Sequence, residues 1–379
     1  MRRLSFNRSR DVGILAFLLA IVAVFLLPRF ISDFRAQTFA YVAIYFIALI
    51  GLNILTGITG QISLGHGAFM LIGGYVTAIL VSNQEPPLEL LGHQFTNDMR
   101  DIWTIPIAGL VAGVVGFLFG FPALRLTGLY LALATFAVAV AAPAIVRRFP
   151  GFTGGGSGIN FFDVEGRTRS EITTDPITFE QVESPIAVLG LEIPSFNEWL
   201  YYLCWTIAIV LFAAAWFLLR GRFGRTLRAV RDSELAAASS GVNLARYKTL
   251  AFGISAFYAG VAGSLLAIAT TFVNPDTFPI TLSIFLLVGV VVGGLGSLWP
   301  LVLGAVFIQF MQTEWAQDAE SAIPDFIPVL GDIDTDLPGA PAVAFGVVLI
   351  LIMLASPGGA AGLLRSLKAL ATRGYDRLR

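Results

Sequence analysis

Three stretches of the 379-residue sequence set polar groups in apolar surroundings. The first, residues 51–75, reads GLNILTGITGQISLGHGAFMLIGGY and places Asn53, Thr56, Thr59, Gln61, Ser63 and His66 among glycines that include Gly60 and Gly65. Amides, hydroxyls and an imidazole at membrane depth are costly unless they line a cavity or pack closely. A helix broken over residues 60–67 would free backbone N–H and C=O groups for a polar solute. The pattern fits equally a turn between two spans, or close packing of small residues. The second stretch, VGVVVGGLGSLWP at residues 288–300, raises the same choice at Gly293 and Gly294, between an irregular turn beside a solute route and a tight hairpin. The third, RGRFGRTLRAVRDSELAAASSG at residues 220–241, carries five arginines. Its second half, from Asp232 to Gly241, reads as a short helix. Asp232 or Ser233 caps its start, alanines fill it, and Gly241 suits a left-handed stop. A charged helix hung between apolar segments must meet something in water. The candidate coupling residues are Arg228, Arg231, Asp232, Glu234, Ala237 and Gly241, and the expected partner is an ATP-hydrolysing protein. The candidate solute-pathway residues are Asn53, Gly60, Gln61, Ser63, Gly65, His66, Gly293 and Gly294.

Other chemistry is missing. A single cysteine, Cys204, excludes an intramolecular disulfide and a cysteine metal cluster. His66 and His93 are the whole imidazole complement, too few for a structural zinc site. A phosphate-cradling Gly-Lys-Ser/Thr loop is absent, since the two lysines, Lys248 and Lys368, follow Tyr247 and Leu367. No nucleophile stands with its base, and no span holds a row of ionisable groups of the kind that proton- or voltage-driven machines use. The chain is expected to bind no cofactor itself, so energy must come from a partner unless transport is passive.

The elements that position these residues follow from composition. The sequence is 56% hydrophobic and 13% charged, against about 25% charged in soluble domains. Mean hydropathy is +0.80. Runs near 20 residues predict an all-α, polytopic helical membrane protein of about ten transmembrane helices in a single permease domain, residues 1–379. The spans are placed at 12–27, 36–57, 65–83, 103–122, 127–146, 199–219, 249–272, 279–297, 299–315 and 341–356. The run at 12–27 follows four arginines without a small-residue cleavage signal, so it reads as a retained span rather than a signal peptide. With both termini cytoplasmic, the inside segments hold 17 of the 24 basic residues, as the positive-inside rule asks. Residues 220–248 form the cytoplasmic coupling segment and 357–379 a basic cytoplasmic tail. The extracytoplasmic insert, 150–198, and the acidic extracytoplasmic loop, 314–340, are either a docking rim or a solvated acidic surface. Gly109, Gly113, Gly116 and Gly120 form two GxxxG steps read as helix packing. Packing is also favoured over a route for the small-residue run LTGLYLALATFAVAVAAPA at 126–144.

Taken together, the 51–75 motif, RTLRAVRDSELAAASSGVNLARYKTLAFGISAFYAGVAGSLLA and VVGGLGSLWPLVLGA resemble, in order and spacing, the LivM-type permease subunits of ABC importers for branched-chain amino acids. The likeness covers roughly residues 36–356, and its middle segment is the most specific. It implies a non-catalytic permease of the cytoplasmic membrane, surrounded by lipid and paired with a LivH-like second permease. It also implies two cytoplasmic ATP-binding subunits that bring ATP and Mg, an extracytoplasmic substrate-binding protein, and no nucleic acid. By this resemblance residues 228–241 match the coupling region, with Asp232, Glu234 and Gly241 at recurring positions, and Gln61, Ser63, Gly65 and His66 match the glycine-rich pathway motif. Residues 150–198 and 314–340 look longer than in typical members. The alternatives are a urea or short-chain amide permease of the same family, and an ATP-independent transporter or channel.

Overall fold

The computed structural model describes residues 22, 24–81, 88–90, 93–95, 101–126, 128–160, 172–174, 181–183, 186–188, 191–193, 195–312, 350, 354 and 359–362. The long helices are α1 (Asp33–Leu52), α2 (His66–Val81), α3 (Asp101–Ala123), α4 (Leu129–Arg148) and α5 (Phe196–Arg220). Two short helices, α6 (Arg222–Asp232) and α7 (Glu234–Ser239), lead into α8 (Leu244–Thr270), followed by α9 (Ile280–Gly293) and α10 (Leu301–Gln312). Among the described residues six helices are long and apolar enough to cross a membrane: Asp33–Ile58, Ile102–Ala123, Leu129–Arg148, Phe196–Arg220, Leu244–Thr270 and Pro275–Gly293. His66–Val81 and Leu301–Phe310 are shorter apolar helices. These eight fall on eight of the ten expected spans. The span at 12–27 is described only at its end, and that at 341–356 lies outside the described residues except for Ile350 and Leu354. The acidic loop 314–340 and most of the tail 357–379 are also outside them.

The described residues are mostly helical, with a few short strands. Three small antiparallel hairpins pair β1 (Leu88–Leu90) with β2 (His93–Phe95), β4 (Ile172–Thr174) with β5 (Gln181–Glu183), and β6 (Ile186–Val188) with β7 (Leu191–Ile193). All lie in sequence between the apolar spans. In a fourth ladder, β3 (Ile159–Asn160) pairs with β8 (Phe272–Val273).

The chain has two compact units. The first takes Met1–Ala40 and Thr168–Ile207. In it Asp33 accepts hydrogen bonds from Ser195 and, at 2.6 Å, from Asn197 Nδ2, while Trp205 Nε1 donates to the Phe39 carbonyl at 3.1 Å. The second takes Tyr41–Arg167 and Ala208–Arg379. Its axis is α8, buried along most of its length against α2 and α3. Glycine permits the contact. A Cβ at Gly73 would collide with the Gly260 carbonyl, and one at Gly263 with the Met70 carbonyl. Gly109, Gly113, Gly116 and Gly120 all face α8, so both GxxxG steps serve packing, as close backbone approach requires. On the other sides of α3 and α4, Leu110, Val114, Leu118, Leu133 and Ile145 are exposed. Helices apolar on the inner and outer faces alike suit a lipid solvent.

Candidate functional site

The 51–75 motif forms a broken helix. From Asn53 the α1 backbone widens into a π-helical turn, Asn53–Ile58, every residue of which is buried. Residues 60–65 are then irregular, with Gly60 at φ +74°, and α2 begins at His66. The His66 ring contacts the Ala48 carbonyl at 3.0 Å. Ala48 lies ten residues before Ile58, about 15 Å back along the helix. Residues 59–65 therefore fold back beside α1, and α2 starts well inside it. At 16 residues α2 is about 24 Å long, short of a hydrocarbon core of about 30 Å. Non-helical backbone at that depth needs partners. Thr135 Oγ1 of α4 accepts from Leu64 N at 2.9 Å, and Ser283 Oγ of α9 accepts from Gly67 N at 2.9 Å, capping α2 from another element. Within the segment Gln61 N donates to the Leu55 carbonyl at 3.1 Å, and Thr56 Oγ1 to the Gln61 carbonyl at 3.2 Å. Ser63 Oγ accepts from Gly65 N at 3.4 Å. Gly65 lies so close to Thr135 that a Cβ would come 2.7 Å from its carbonyl oxygen. The buried Gln61 Nε2 alone in this segment lacks a hydrogen-bond partner among the described residues.

Asn53 joins this turn to the second glycine motif. Its Oδ1 accepts from Gly296 N at 2.8 Å and its Nδ2 donates to the Ser297 carbonyl at 3.1 Å. A Cβ at Gly57 would collide with Asn53 Oδ1 and sit 2.6 Å from Gly296 N, so the two turns touch through backbone. Of the expected pathway glycines in this motif, Gly293 packs against Leu301, and Gly294 closes α9 by donating to the Val290 carbonyl at 2.9 Å. Gly296, at φ +79°, is the one that meets Asn53.

Arg231, assigned from sequence to coupling, reaches the same place. Its Nη1 donates to the Gly57 carbonyl at 2.6 Å, and a Cβ at Gly60 would lie 3.2 Å from Arg231 Cγ. A cation on a late helix carbonyl fills an acceptor that the helix leaves open and complements its dipole. The last turn of α6, whose Leu227 and Val230 are buried while Arg231 is exposed, is thereby tied to the broken helix.

The rest of the coupling segment is built locally. Asp232 ends α6 and is not the cap of α7. The cap is Ser233, whose Oγ accepts from Ala236 N at 3.3 Å. At the other end Val242 N donates to the Ala237 carbonyl at 3.1 Å and Gly241 N to the Ala238 carbonyl at 2.9 Å, with Gly241 at φ +84°. This is a Schellman stop. Glu234 pairs with the buried Lys248 at 2.7 Å, fastening the start of α7 to α8. Arg228 Nη2 donates to the Leu219 carbonyl at 3.4 Å. Ala237 is buried, whereas Asp232 and Gly241 are exposed. Asn53, Gly60, Arg231 and Gly296 therefore converge. Gln61, Ser63, Gly65 and His66 line the adjoining fold-back, and Arg228, Asp232, Glu234, Ala237 and Gly241 surround α7. Sequence reasoning missed Thr135, Ser283 and Lys248 as partners. The only signals were hydroxyls inside apolar runs for Thr135 and Ser283, and a lysine two residues after Arg246 for Lys248.

Residues 34–357 match the family described as branched-chain amino acid transport system / permease component. The chain belongs to this permease family. It is 36% identical over 303 residues to the high-affinity branched-chain amino acid transport system permease protein LivM of Escherichia coli, covering 76% of this chain and 64% of that relative. It is 34% identical over 310 residues to the LivM of Salmonella typhimurium, covering 77% and 66%. The ribose import permease protein RbsC of Haemophilus influenzae is 29% identical over 131 residues, 33% of this chain and 37% of the relative. The match thus spans just under two thirds of either LivM protein. No solved structure matches the chain. Family membership and the apolar helices together make this a multi-pass protein of the cytoplasmic membrane.

Proposed function

We propose that the chain is the non-catalytic permease subunit of an ATP-driven importer that carries branched-chain amino acids across the cytoplasmic membrane. The observation that carries this reading is the Arg231–Gly57 contact, which joins the polar helix pair α6 and α7 to a buried break in a membrane helix. Movement of α6 and α7 then acts on the residues 53–65 rather than on lipid. The chain has about ten spans with both termini inside, and residues 220–248 face the cytoplasm, in accord with the distribution of basic residues. Two ATP-binding subunits supply ATP, Mg and the phosphate-binding lysine, and dock on α7 and its neighbours. A LivH-like second permease completes the translocation route, and an extracytoplasmic binding protein delivers solute. ATP-driven closure of the docked subunits pushes α6 and α7, and Arg231 transmits the push to the broken helix.

The test is uptake of labelled leucine by proteoliposomes holding the complex purified with its native associates. Uptake is expected only with ATP on the side of α7. Uptake by this chain alone, indifferent to ATP, would refute the importer reading in favour of a channel or secondary transporter.

A further inference from the structure

We propose that Arg147, Asp276 and Tyr75 form a receiving site for a zwitterionic amino acid at the end of the bundle opposite α6 and α7. The proposal rests on the importer reading, which makes this the outer end. Arg147 stands in the last turn of α4, and Asp276 in the 3-10 turn Pro275–Thr277 between α8 and α9. Arg147 Nη2 lies 2.6 Å from Asp276 Oδ1, with side chains 48% and 73% exposed. An ion pair this exposed is weak, about 0–1 kcal/mol. A free amino acid carries the same two charges and can replace each partner. Its carboxylate takes the guanidinium fork of Arg147, whose geometry suits a carboxylate, and its ammonium takes Asp276.

The backbone that carries Asp276 is held in place beforehand. Asn274 Oδ1 accepts from Thr277 N at 2.7 Å while Asn274 N donates to Thr277 Oγ1 at 3.2 Å, a closed capping box around Asp276. The preceding β8 is pinned to β3, and Gly158 lies so close that a Cβ would collide with the Val273 carbonyl. Preorganised charge of this kind binds without first ordering a loop.

Tyr75 supplies the independent observation. It is 4% exposed, and its hydroxyl is buried with no hydrogen-bond partner among the described residues. Among the described residues, Arg147 and Asp276 stand near enough for their charges to act on it. The neighbouring Gly74 touches Phe278, two residues beyond Asp276, a Cβ there lying 2.6 Å from the ring. A buried hydroxyl without a partner is costly, and a ligand carboxylate oxygen that reaches it removes that cost. The ligand class is therefore a small amino acid with both charges free. A carboxylic acid or an amine alone leaves one member of the pair unmatched.

The test measures binding of labelled leucine to the assembled complex in nanodiscs, without the external binding protein. Isocaproate and isoamylamine serve as competitors lacking one charge each. Wild type is expected to bind leucine and to resist either competitor. Arg147→Ala and Asp276→Ala are each expected to weaken binding about tenfold, the scale of one charge-assisted hydrogen bond. Tyr75→Phe is the decisive variant, because it removes an oxygen that bonds to nothing among the described residues. Its thermal midpoint is expected to stay or rise while leucine binding falls several-fold. The charge-reversed pair Arg147→Asp with Asp276→Arg restores a tie between the elements but not the site, so binding should stay low. Recovery of binding in the reversed pair, unchanged binding in Tyr75→Phe, or no leucine binding to wild type would each overturn the proposal. ATP-driven uptake with the binding protein present, measured on the same preparation, tests the importer reading separately.

Discussion

Replacing Arg231 by methionine isolates the link between α6 and the broken helix. Methionine keeps most of the apolar stem that lies against Gly60 and removes the guanidinium that donates to the Gly57 carbonyl at 2.6 Å. A hydrogen bond from a charged donor contributes about 1.5–3 kcal/mol. Arg231 is exposed as a whole, so solvent screening places the expected loss at the low end, about 1.5 kcal/mol. That corresponds to roughly a tenfold change in an equilibrium constant, so the α6-linked state of the turn becomes roughly tenfold less favoured. Assembly should survive, because α7 keeps its Ser233 cap, its glycine stop and the Glu234–Lys248 pair. The assay compares leucine moved with ATP hydrolysed in proteoliposomes. Hydrolysis is expected to continue while the transport ratio falls several-fold, and Arg231→Lys should recover part of it by keeping a cation near the carbonyl. An unchanged ratio in Arg231→Met, with the complex intact, refutes transmission through this contact.

Two further substitutions test the packing and the helix stop. Gly73→Ala sets a methyl group against the Gly260 carbonyl and must separate α2 from α8, at a cost of about 1–3 kcal/mol. A lower melting midpoint by size-exclusion chromatography with fluorescence detection would report it. Gly241 has open space around it and φ +84°, so Gly241→Ala is expected to cost about 1 kcal/mol through backbone strain alone. Gly241→Asn should cost less, since asparagine tolerates that conformation, and hydrogen exchange over 234–241 separates the two.

The spans and the helical stop were legible because they depend on local features. A 20-residue apolar run needs a membrane whatever surrounds it, and a serine before an alanine run with a glycine after it carries its own caps. The exact cap was not legible, because Asp232 and Ser233 are equally able to accept. The competing readings of the glycine motifs also could not be separated from sequence. Gly73, Gly109 and Gly289 prove to be packing glycines, whereas Gly57 and Gly296 meet at an irregular junction. The difference lies in what each glycine faces on another element.

The amino-acid sequence by itself determined that this chain crosses a membrane several times and that it lacks the lysine of a phosphate loop. Each of these is a property of composition or of neighbours along the chain. Only the tertiary structure decided that Arg231 rests on Gly57, 174 positions away, that Asn53 bridges to Gly296, and that Ser283 caps α2. Buried carbonyls and amides must find partners, and in a bundle those partners are set by how the helices cross rather than by distance along the sequence.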